Sequence, residues 1–155
     1  MVLLRETAIP AFIAALVLSL AGAPPAAATS ATGNQNPDLT AEVSLASRGT
    51  ADPNFATVGD TVDAVLAVRN NKPWSFSAQL ENVRVHLTLV TPSGAAFDVS
   101  GTIFLFPEQT LRVPFDYKVS TLFPQGPYAL TLEAFEVEDP AMPPPSSATA
   151  TITFN

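Results

Sequence analysis

Val83-Arg84-Val85-His86-Leu87-Thr88-Leu89 sets an apolar side chain at every second position and a polar one between them. Successive side chains of an extended chain point to opposite faces, so this period of two describes a strand with one face buried. The same pattern recurs outward in both directions. Leu39, Ala41, Val43 and Leu45 alternate with Thr40, Glu42 and Ser44, and Val62, Ala64, Leu66 and Val68 alternate around Asp63 and Arg69. Further on, Leu111 to Val119, Tyr128 to Leu132 and Ala148 to Phe154 repeat it. A shorter run, Thr102-Ile103-Phe104-Leu105-Phe106, supplies a seventh strand. Between the runs stand Val58-Gly59-Asp60, Thr91-Pro92-Ser93-Gly94 and Pro124-Gln125-Gly126-Pro127. Each joins glycine's access to positive φ with a proline or a side-chain hydrogen bonder, which is turn chemistry. Pro114 removes one ladder donor, so its strand is expected at a sheet edge or at a bulge. No helical stripe interrupts the series. The expectation is an all-β protein, a Greek-key sandwich of about seven strands over residues 39–155.

The N-terminal stretch has a different character. Met1-Val2-Leu3-Leu4-Arg5 opens it, Ala8 to Ala23 is uncharged and mostly apolar, and Ala26-Ala27-Ala28 offers small residues for cleavage. The apolar run is shorter than the ~20 residues that span a bilayer, so residues 1–28 read as a secretory signal peptide. The mature chain is expected to be secreted, periplasmic or displayed at the cell surface, with no membrane insertion after cleavage. Thr29 to Asp38 is polar and aperiodic and reads as a flexible linker.

The chain has 14 acidic and 7 basic residues, a net charge of −7. Removing Arg5 and Glu6 leaves 13 against 6, still −7. Nucleic acid and anionic membranes select for basic patches, so neither is an expected partner. With no cysteine and only His86 among histidines, zinc and blue-copper sites lack their ligands. His86 falls on the face opposite Val85 and Leu87, where solvent exposure is expected. Glu133, Glu136, Glu138 and Asp139 form the most acidic stretch, but the spacing of a calcium loop is missing. No G-x-S-x-G elbow occurs, and a small sandwich leaves little room for a cleft between paired carboxylates. No catalytic, metal or cofactor residues are assigned, and the chain is not expected to be an enzyme.

Ala56-Thr57-Val58-Gly59-Asp60-Thr61-Val62, followed by Ala67-Val68-Arg69-Asn70-Asn71, resembles the second-strand signature of bacterial extracellular immunoglobulin-like domains, the CARDB-type cell-adhesion-related domains among them. Leu122-Phe123-Pro124-Gln125-Gly126-Pro127-Tyr128 is similar to the corner of fibronectin type III sandwiches. The resemblance implies an immunoglobulin-like fold in which Pro124, Gly126 and Tyr128 build a structural corner, the tyrosine hydroxyl returning to upstream backbone. It implies a broad adhesive or binding role and no reaction.

The residues left for function are aromatic. Lys72-Pro73-Trp74-Ser75-Phe76 lies between the second and third strands, and Ile103 to Phe106 is apolar on both parities. Trp74 is either a buried loop anchor or a ligand-stacking residue. Phe104 and Phe106 are either covered by a loop or part of a protein contact. The candidate interaction surface is therefore Trp74, Phe76, Phe104 and Phe106. The function expected is a non-catalytic adhesion-type module that binds another extracellular or envelope protein. A carbohydrate-binding module and, behind it, an extracellular protease inhibitor are the alternatives.

Overall fold

The computed structural model describes residues 29–77, 79–137 and 143–155, so the expected leader and the acidic pair Glu138 and Asp139 lie outside the described residues. Nine strands follow one another: β1 (Thr29–Gly33), β2 (Leu39–Arg48), β3 (Phe55–Ala56), β4 (Thr61–Asn70), β5 (Glu81–Val90), β6 (Ala96–Leu105), β7 (Thr110–Lys118), β8 (Gly126–Glu136) and β9 (Ser146–Phe154). They form two sheets, ordered β1-β2-β4-β7 and β3-β9-β8-β5-β6. Every pair is antiparallel except β3 with β9. The chain crosses between sheets after β2, β3, β4, β6 and β7, as in a Greek-key sandwich. The fold is all-β, and no helix occurs among the described residues.

Strand alternation explains the core. Leu39, Ala41, Val43 and Leu45 of β2 and Val62, Ala64, Leu66 and Val68 of β4 are buried against Leu87 and Leu89 of β5 and the inward residues of β8 and β9. Their polar neighbours stand on the outer faces. Pro114 sits on β7, an outer strand of its sheet, where a missing N–H breaks no second ladder.

Two strands exceed the seven expected. Residues 29–33, read above as flexible linker, instead form β1 and pair with β2 from Thr29–Leu45 to Gly33–Ala41. This stretch lacks the large apolar residues that signal a strand, because it is held by polar contacts. The Thr29 hydroxyl donates to the Thr151 carbonyl at 2.8 Å, and Gln35 accepts from the Ser147 amide at 2.9 Å. Asn36, fully buried, donates its backbone N–H to the Ser146 hydroxyl at 3.1 Å. The sheets approach most closely where β1 and β2 face β8 and β9. Small residues permit that approach. Ala41, Ala148 and Ala150 lie there, and a Cβ added to Gly33 would fall 2.1 Å from the Ser147 carbonyl oxygen.

The turn at Gly59 joins the two sheets' ends. Gly59 has φ +99° and donates to the Val119 carbonyl, while Val119 donates back to the Asp60 carbonyl at 2.8 Å. The Asp60 carboxylate accepts from the Thr57 amide at 2.7 Å and from its hydroxyl at 2.9 Å. Asp60 is thus a turn cap, as its position beside glycine suggests.

Candidate functional site

Asn70 ends β4 and is fully buried, and its backbone N–H and both side-chain polar atoms are hydrogen-bonded at this end of the sandwich. Its backbone N–H donates to the Gln109 carbonyl at 3.0 Å, its side-chain amide donates to the Leu105 carbonyl at 3.4 Å, and its side-chain oxygen accepts from the Lys72 amide at 3.0 Å. One residue therefore binds the β4–β5 loop to the β6–β7 turn. Asn71 adds a second tie, donating to the Pro37 carbonyl and the Thr40 hydroxyl. The β6–β7 turn closes on itself, with Gln109 accepting from the Phe106 amide and donating back to the Phe106 carbonyl.

Those ties bring Trp74 to Phe106, with ring centroids 6.2 Å apart and planes inclined at 53°. Both rings remain open to solvent: Trp74 is 61% exposed and Phe106 47%. Phe104 is 58% exposed and Phe76 is fully exposed. Leu105 between the two phenylalanines is buried, so the run that is apolar on both parities divides into one core residue and two that face outward. Trp74 is not the buried anchor that immunoglobulin-like cores suggest. Phe76 has no ring partner among the described residues, so it is not brought together with Trp74 and Phe106.

The base of the loop is polar and fixed. The Lys72 ammonium lies 2.9 Å from the Glu136 carboxylate and 3.2 Å from that of Glu81. Burial alone lowers the lysine pKa, but hydrogen bonds and charge from the two glutamates outweigh it and raise it above the ordinary 10.5.

The corner lies at the other end. The Tyr128 hydroxyl donates to the Pro124 carbonyl at 2.9 Å, and its ring packs 4.5 Å from Phe154. Gly126 takes φ +124° beside it, with Pro92 so close that a Cβ would sit 2.8 Å away. Burial, with a smaller contribution from Tyr117, pushes the Tyr128 phenol up. Pro124, Gly126 and Tyr128 thus share one turn far in sequence from the aromatic patch.

His86, expected to be exposed to solvent, has about a third of its side chain exposed. It bridges three strands, with Nε2 3.3 Å from Asp98 and Nδ1 3.3 Å from Glu133. Among the described residues no group of three or more histidine, aspartate or glutamate side chains is arranged to hold a metal ion. Asn70, Lys72 and Gln109 were not singled out from the sequence as residues that shape the site. The Asn70-Asn71 pair was visible, but the partners it ties are 31 or more residues away or are backbone groups, which no local pattern reveals.

No protein-family model matches the chain, and no curated protein sequence matches it. Solved structures of similar shape include the C-terminal domain of wzt, at 13% identity over 73% of this chain and 70% of that one, with a TM-score of 0.47. The CARDB domain of the PF1109 protein from Pyrococcus furiosus is 13% identical over 74% of this chain and 93% of that one, with a TM-score of 0.43. The sporulation control protein Spo0M from Bacillus subtilis is 16% identical over 74% of this chain and 49% of that one, with a TM-score of 0.42. These neighbours thus include a CARDB domain and other β-sandwich domains, all at low identity.

Proposed function

We propose that the chain is an exported, non-catalytic interaction module of the CARDB-like, cell-adhesion type, and that it engages another extracellular or envelope protein through Trp74, Phe104 and Phe106. The observation that carries this reading is the exposed Trp74–Phe106 ring pair, on a loop and a turn that Asn70 ties together. Exposed aromatic clusters of this kind are a common anchor of protein interfaces, and a pre-ordered loop loses little entropy on binding. The ionic ring of Lys72, Glu81 and Glu136 beside it fits the polar rim of such a contact.

A carbohydrate-binding role is the second reading, favoured by the exposure of Trp74. The 53° inclination of Trp74 to Phe106 denies a sugar chain a flat two-ring platform, which places this reading behind the first. The test is capture from native envelope and secreted fractions with the wild type and with Trp74→Ala/Phe106→Ala. A defined protein partner retained by the first and lost by the second is expected. Saturable binding on a glycan array, with no protein captured, would move the assignment to the carbohydrate class.

A further inference from the structure

The two sheets that meet closely at β1 and β9 stand apart at the other side, between the outer strands β6 and β7. There a cavity of about 390 Å³ lies between them. Leu66 and Val68 of β4 form one wall, and Leu87 of β5 with Leu132 of β8 form the other. Its mouth opens between the edges, where Val99 of β6 and Leu111 of β7 are each 38% exposed. Among the described residues that line it, Ser100 is the one with a polar side chain. The volume lies in the ~300–1,000 Å³ range of ligand pockets, and exceeds the ~150 Å³ of an apolar cavity known to admit benzene.

Gly101 is the second observation. It faces the cavity from the middle of β6, opposite Val85. It has no positive φ that would require glycine, and a Cβ there would meet only Val85 Cγ2, at an ordinary 3.9 Å. Neither backbone nor crowding explains a residue that weakens a strand. What the missing side chain does is keep the space open, as glycine does in strands where another molecule approaches closely.

The chemistry of the walls selects the occupant. A peptide entering the cavity would bring N–H and C=O groups that find almost no partner there, since Ser100 pairs with His86 on the outer parity of β6, and unpaired buried amides are costly. The free backbone groups of β6 and β7 point along their sheets and not into the space between them. A charged group would meet no counter-ion. We infer that this cavity is a binding site for one unbranched hydrocarbon chain of a free single-chain amphiphile, its head group at the mouth between Val99 and Leu111. The chain's net charge of −7 disfavours docking on an anionic bilayer, so the source is the monomer in solution and not a membrane.

The experiment is a titration of the full chain with 1-octanol, followed by methyl NMR. Saturable shifts confined to the methyls of Leu66, Leu87, Val99, Leu111 and Leu132 are expected. Gly101→Val, which fills the space from β6, should weaken octanol at least tenfold. Val99→Phe, at the exposed mouth, should do the same without touching the buried wall, and so decides the matter if the first variant fails to fold. No co-sedimentation with phosphatidylglycerol vesicles is expected. The inference is overturned by the absence of saturable shifts, by shifts at methyls outside the cavity lining in place of those within it, by unchanged affinity in the folded variants, or by binding only to vesicles.

Discussion

Asn70 shows how a single buried amide can shape a surface it never reaches. Its three hydrogen bonds fix the backbone on both sides of the aromatic patch. Replacing it by alanine strips the Lys72 amide and the Leu105 carbonyl of partners, at a cost of about 1–3 kcal/mol for polar groups left unsatisfied. Asn70→Ala is therefore expected to lower the denaturation midpoint and to loosen the Trp74 loop, seen as faster amide exchange at Lys72. An unchanged midpoint with unchanged exchange would remove Asn70 from this role. Tyr128→Phe isolates one bond in the same way. The ring keeps its packing on Phe154, and loss of the hydroxyl bond to Pro124 should cost about 1 kcal/mol. A midpoint equal to the wild type's would mean that water replaces the tyrosine's bond without loss.

At the scale of elements, β1 tests what counts as structure in a polar segment. Gly33 lies against the Ser147 backbone with no room for a side chain. Gly33→Val must push β1 off β9, and overpacking of this kind costs about 1–3 kcal/mol. A flexible linker would accept valine freely, so an unaltered urea midpoint would restore the linker reading. The strands with strict alternation, β2, β4, β5, β8 and β9, were legible because apolar side chains bury on one face only. β1 was not, since its pairing is to the free edge of β2 and its anchors are hydrogen bonds. β6 was read from Thr102, but it begins at Ala96. As an edge strand it leaves Asp98, Ser100 and Thr102 in water, which blurs the apolar period. That shortened reading put Gly101 outside the strand and hid the cavity it faces. For the patch, composition named Trp74, Phe76, Phe104 and Phe106, but not that Trp74 and Phe106 meet. Their meeting depends on Asn70, a contact between distant segments.

At the scale of the whole molecule, two groups among the described residues have their pKa raised in the folded state, Lys72 above 10.5 and Tyr128 above 10.0. Each binds its proton more tightly when folded than when unfolded. Their stabilisation is therefore complete below the unfolded values and is lost as pH rises through the folded ones. Stability is expected to fall above about pH 10, and Lys72→Met should remove part of that slope. An equal alkaline slope in the variant would show that the Glu81–Lys72–Glu136 cluster is not linked to folding. The same cluster anchors the loop that bears Trp74, whose ring stands outside the core and, in the proposed function, makes the contact with the partner. The most direct measurement is the unfolding free energy of Trp74→Ala, taken alongside its affinity for the captured partner. Exposure predicts a stability change below about 1.5 kcal/mol, the scale of one aromatic pair, with affinity reduced by about 2 kcal/mol, the scale of an interface anchor. A stability loss of about 3–5 kcal/mol, typical of a large buried aromatic, with affinity unchanged, would contradict it.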